Sequence, residues 1–142
     1  MEYMSNDEKE QSCMMLQSNP WNWTLTITSA KKDVSAGEMF LVAGKVIEKL
    51  QQHDENVKYA FYICKHGEES REHLHGVIYT SLKHLQVQSC IGAGHHRIKK
   101  FTGDQWWFSY MLNQSLAETE MTNCEIPVGD SGIMTYAQMV TV

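Results

Sequence analysis

At 142 residues the chain has the length of a single domain, enough to bury a core without disulfide staples. No apolar run approaches the ~20 residues of a membrane span, the acidic start Met1 to Glu10 is unlike a signal peptide, and Cys13, Cys64, Cys90 and Cys124 lack C-x-x-C spacing; the expectation is an intracellular protein with reduced thiols, no zinc knuckle and no membrane partner. The net charge of −5 is uneven: residues 1–17 carry −3 and those from Leu116 onward −4, leaving the centre at +2, so the balance does not exclude nucleic acid.

Residues 1–19 are polar and methionine-rich, show no sustained period, and read as a loosely packed N-terminal arm closed by Asn19-Pro20. Residues 20–142 read as the domain proper. Trp21 to Ser29 alternates strictly, with Trp23, Leu25 and Ile27 on one face and Thr24, Thr26 and Thr28 on the other, which predicts a strand. Ser35-Ala36-Gly37-Glu38 has capping-box spacing, and Met39, Phe40, Ala43, Val46, Ile47 and Leu50 recur at three and four behind it, which predicts an amphipathic helix. Val57 to His66 predicts a second strand and, after a turn at Gly67 to Glu72, His73 to Tyr79 a third. A short helix is expected over Leu82 to Cys90, capped by Thr80 or Ser81, then a strand over His95 to Phe101. Thr102-Gly103-Asp104-Gln105 repeats the capping-box logic before a helix that carries Trp106, Trp107, Tyr110 and Met111 and runs to Leu116. The order predicts an α+β fold, a ferredoxin-like split β-α-β unit with an antiparallel sheet of about five strands and flanking helices. The turn-rich segment after Leu116 predicts no defined element.

The chemistry concentrates at His73-Leu74-His75-Gly76. Strand alternation sends His73 and His75 to one face, and two imidazoles there can fill adjacent positions around a metal while leaving others open. If Glu68 to Arg71 is a four-residue loop, His66 stands opposite His73 and becomes a third candidate ligand; Glu68 or Glu69 takes that place if the turn folds differently. Tyr110 shares its side of the last helix with Asn113 and Gln114, so a phenol with a polar neighbour one turn on can face the histidines, the setting for nucleophilic attack on a phosphodiester. Tyr110 also fits a plain aromatic core stripe with Trp106, Trp107 and Phe108. Arg97, Lys99 and Lys100, followed by Phe101 and the two tryptophans, suit a strip that tracks a phosphate backbone beside stacking platforms for unpaired bases.

Trp23 to Thr28, the His-hydrophobe-His-Gly run at 73–76 and Ser109-Tyr110-Met111-Leu112-Asn113 resemble, in order and separation, the three motifs of HUH endonucleases, most closely the endonuclease domains of rolling-circle replication initiators of small circular single-stranded DNA viruses and plasmids. The resemblance covers residues 21–117. It implies nicking and joining of single-stranded DNA at an origin hairpin, with Mn²⁺ or Mg²⁺ held by His73, His75 and a third ligand near His66. It also implies a 5′-phosphotyrosine at Tyr110 and a free 3′ hydroxyl that primes synthesis. A C-terminal helicase domain in a longer parent chain, and the host nucleus for a eukaryotic virus or otherwise the cytoplasm, go with the same family. Asn113 departs from it, standing where the initiators carry lysine. Gln114, four residues after the tyrosine, resembles instead the single-tyrosine HUH transposases, in which a glutamine there helps complete the metal site. A non-catalytic single-stranded nucleic-acid-binding domain is the alternative outside catalysis.

Overall fold

In the computed structural model, which describes residues 2–28, 36–67, 71–92, 95–126 and 134–140, the elements are α1 (Asn6–Gln17), β1 (Trp23–Thr28), α2 (Ala36–His53), β2 (Lys58–Cys64), β3 (His73–Tyr79), α3 (His84–Ile91), β4 (His95–Lys100), α4 (Trp106–Gln114), β5 (Met121–Thr122) and α5 (Tyr136–Val140). The fold is α+β. Its five strands form one antiparallel sheet in the order β4-β1-β3-β2-β5. Since β3 pairs antiparallel with both β1 and β2, those two run parallel with β3 between them, and α2 makes the crossover. That is the split β-α-β arrangement expected from the element order.

Alternation along the strands gives the sheet two different faces. On one, Leu25, Ile27, Phe61, Ile63, Leu74 and Ile78 pack against Met39, Ala43, Val46 and Leu50 of α2 and Val87 and Cys90 of α3. Each such buried side chain contributes about 1.5–3 kcal/mol of transfer free energy. On the other face Ala60, Tyr62, Cys64 and Val77 meet α1, α4 and α5 through Leu16, Met15, Phe108, Met111, Leu112 and Met139. This second layer covers β2 and β3. Over β1 and β4 the same face carries Thr24, Thr26, Arg97 and Lys99, which are paired in register and left as the floor of a cleft.

The glycine after the histidine pair is a packing requirement. Gly76 lies opposite Phe61 on the α2 side of the sheet, and a Cβ at that position would run into the Phe61 ring and crowd the Ala60 carbonyl.

Residues 2–19 are not the loose arm expected. Ser5 and Glu8 form a capping box, Ser5 Oγ accepting from Glu8 N at 3.2 Å and Ser5 N donating to Glu8 Oε1 at 3.1 Å, and the helix they start buries Cys13, Met15 and Leu16. The chain ahead of it is tied down by Met4 N donating to Ser115 O at 3.0 Å and Ala117 N to Glu2 O at 2.7 Å. Other boundaries shift for local reasons. The Thr80 hydroxyl receives Leu82 N, whereas α3 itself begins after Lys83, whose N–H goes to Gln86 Oε1. Asp104, rather than Thr102, receives the Trp106 N–H, so α4 starts at Trp106. It stops at Gln114 because Ser115 turns extended and bridges Cys64. The Ser35 cap expected for α2 lies outside the described residues.

Candidate functional site

The β3 register places the two histidines between threonines and β2: Thr28 and Cys64 flank His73, Thr26 and Tyr62 flank His75. His75 is 4% exposed, and its Nδ1 lies 3.0 Å from Thr26 Oγ1. His73 Nδ1 lies 3.2 Å from the Arg71 carbonyl oxygen, which can only accept, so this nitrogen carries the proton and leaves Nε2 with its lone pair. The two Nε2 atoms then face each other at 2.9 Å. Burial, reinforced by the neighbouring His73, pushes the His75 imidazole down to about 3, so it is neutral near pH 7 and fit to act as a ligand.

The 2.9 Å separation is that of an N–H···N hydrogen bond, and a cation that displaced its proton would find the two Nε2 lone pairs converging on it. The C-terminal end of α4 supplies a third polar atom. Gln114 is 7% exposed, and its Oε1 is buried without a hydrogen bond of ordinary geometry, although the amide lies near enough to His75 to oppose part of the downward shift. An orphaned carbonyl oxygen beside two converging imidazoles is a donor set that fits a divalent cation.

His66 does not join it by the expected pairing. Cys64, not His66, stands opposite His73, and the ladder ends there because Lys65 N turns away to donate to Gln114 O at 2.9 Å. His66 is exposed at the hairpin mouth, followed by Gly67 at φ +82°. Among the described residues no group of three or more His, Cys, Asp or Glu side chains is arranged to hold a metal; Glu68 and Glu69 lie outside them.

Asn113 and Gln114 part company on α4. Asn113 Oδ1 accepts from Lys9 Nζ of α1 at 3.2 Å and from the Tyr136 hydroxyl of α5, so its side chain is engaged by the helical layer. Tyr110, half-buried, has its ring centroid 5.8 Å from that of His75 and lies against Trp107 at 5.5 Å and Trp106 at 5.1 Å, both stacked. Trp107 also meets His75 edge-on at 5.2 Å.

Thr26, His75, Arg97, Lys99, Lys100, Phe101 and Tyr110 line one cleft of about 410 Å³. The cleft joins the predicted nucleophile, one predicted metal ligand and all three predicted backbone contacts; His73 reaches it through His75. Sequence reasoning left Gln114 undecided and gave Thr26 no role. Period-two alternation opposite a histidine strand is the signal that points to Thr26.

The cysteines take no part. Burial pushes the Cys64 thiol up to about 12 and Cys13 up to about 11, and all four are free. No helix of the described residues is long and apolar enough to cross a membrane. Comparison of the chain with protein-family models, curated proteins and solved structures gives no match.

Proposed function

We propose that the chain is an HUH-type endonuclease domain that nicks and rejoins single-stranded DNA through Tyr110, the reaction that starts rolling-circle replication. The observation that carries this reading is the shared cleft in which Tyr110 and His75 stand 5.8 Å apart beside Arg97, Lys99 and Lys100. Tyr110 Oη attacks phosphorus, the P–O3′ bond breaks, and the 5′ phosphate remains on tyrosine while the departing oxygen takes up a proton to become a 3′ hydroxyl. Attack by a 3′ hydroxyl on the phosphotyrosine reverses the step and joins the ends. Arg97, Lys99 and Lys100 hold the backbone phosphates. His73, His75 and Gln114 are the residues that would hold a divalent ion, which would supply Lewis-acid polarisation of the scissile phosphate. Two imidazoles and an amide oxygen favour Mn²⁺ over Mg²⁺, which prefers an all-oxygen shell.

A second reading within the same chemistry, a single-tyrosine strand transferase of the transposase kind, is favoured by one observation: Gln114 rather than Asn113 is the neighbour turned towards His75. The test common to both is to incubate the protein with labelled single-stranded hairpin oligonucleotides and Mn²⁺ and look for an adduct that survives denaturation. Tyr110→Phe keeps the ring and its stacking, so it should lose cleavage and adduct while holding DNA affinity within a few fold. Robust cleavage by that variant overturns the mechanism, and a wild-type protein that binds DNA without ever forming an adduct is a binding module.

A further inference from the structure

Trp106 is 63% exposed, next to Leu41 and Leu85 among the most exposed large apolar side chains described, yet it is not loose: one face of its indole lies on Tyr110, centroids 5.1 Å apart and planes within 25°. Tyr110 in turn stacks on Trp107, centroids 5.5 Å apart and planes within 28°, so the three rings form one near-parallel aromatic cluster, and all three line the cleft. A cluster of that kind presents a flat, ordered, unoccupied aromatic surface. Indole exposed this way forgoes about 25 cal/mol for each Å² of apolar area it leaves in water, which an apolar partner recovers.

We propose that the outer face of Trp106 is the stacking platform for one unpaired nucleobase of the bound strand, the base of a nucleotide close to the phosphate presented to Tyr110. The inference rests on the nucleic-acid reading of the cleft and commits the stacking role, which the sequence offers to Phe101 and both tryptophans, to the outer face of Trp106. Charge complementarity fixes the occupant: the same cleft wall carries Arg97, Lys99 and Lys100, so a ligand that offers a flat π surface must also offer phosphates. A base added to the outer face lies one ring beyond Trp106, whose own centroid is 5.1 Å from that of Tyr110, so it belongs to a nucleotide close to the phosphate at Tyr110. A duplex cannot use the platform, because its bases already stack on one another. Single-stranded selectivity therefore comes from the ring cluster, while the three cations supply affinity for either form. Trp106 is thus a positioning residue twice over, for the strand on its outer face and for the Tyr110 ring on its inner one.

The experiment measures binding of fluorescein-labelled oligo(dT) and of an abasic oligomer of equal length, in EDTA, to the full chain carrying Tyr110→Phe, so that no cleavage intervenes. Adding Trp106→Ala should weaken oligo(dT) binding about tenfold with the slope of log K against log salt unchanged, and should weaken abasic binding less than twofold; adding Trp106→Phe should stay within threefold of the parent. Equal losses on both oligomers, a loss below twofold on oligo(dT), or a changed salt slope overturns the platform. So does a change in sedimentation with DNA binding kept, which makes Trp106 a protein–protein contact. These outcomes are separable from failure of the nuclease reading, which is judged by adduct formation with Tyr110 intact.

Discussion

Two imidazoles that meet through nitrogens 2.9 Å apart need a proton or a cation between them, and His73 Nδ1 already faces the Arg71 carbonyl. Without metal the neutral His75 meets that need as the Nε2–H tautomer, its Nδ1 accepting from the Thr26 hydroxyl, and burial opposes the addition of a second proton. Unfolded, His75 titrates near 6.5; folded, near 3, so between those values the unfolded chain holds the extra proton. Stability contributed this way is complete above pH 6.5 and is lost as pH falls towards 3, by up to about 1.4 kcal/mol per unit. Thermal melts of the metal-free protein from pH 7 to 4 should therefore show a steeper fall for the wild type than for His75→Gln; parallel curves overturn the argument. The third donor is settled at the same scale. Gln114→Ala should raise the Mn²⁺ concentration required for nicking at least tenfold, whereas Asn113→Ala, whose partners are Lys9 and Tyr136, should change it less than threefold. The opposite ranking would return the site to the lysine-position logic of the replication initiators.

At the scale of elements, legibility in the sequence follows how local the cause is. Strand β1 and helix α2 were readable because their faces repeat at 2.0 and 3.6 residues and stand on opposite sides of one core. Helix α1 was missed because its buried stripe is Cys13, Met15 and Leu16 in an otherwise polar run; Ser5-x-x-Glu8, a capping box in plain view, was the available signal. β5 and α5 are held by distant partners, Tyr59 O receiving the Thr122 hydroxyl and Glu10 receiving Tyr136 N, which no local pattern encodes. The same reason separates Asn113 from Gln114: the helix alone offers both, and α1 with α5 removes one. The pairing expected for His66 depended on loop length, and the observed register differs by two residues, with Cys64 opposite His73. Gly76 was legible as part of a motif but its reason was not. Gly76→Ala should displace the fully buried Phe61 ring and lower stability by about 1–3 kcal/mol in denaturant melts, with Phe61→Leu in the same background restoring part of it. A neutral Gly76→Ala would mean the ring has room that the register denies it.

Across the whole molecule, folding distributes the charge of −5 in a way compatible with the anionic partner proposed above. The acidic ends of the chain come together: residues 2–4 bond to residues 115–117, Ser12 donates to Glu120 at 2.5 Å, and Glu8, Glu118 and Glu120 line one small hollow. The basic residues of β4 line the cleft beside Tyr110 instead. The protein is therefore electrically polarised, and a DNA strand experiences the local sign within a Debye length of about 10 Å rather than the total. Counterion release measures that local count, because each neutralised phosphate of a single strand contributes about 0.7 to the slope of log K against log salt. Replacing Arg97, Lys99 and Lys100 by Gln should lower the slope by about 2 and weaken binding most at low salt, while Glu118→Gln, in the acidic hollow, should leave the slope unchanged. If the slopes respond the other way round, the strand runs across the helical layer and the cleft beside Tyr110 is not its path.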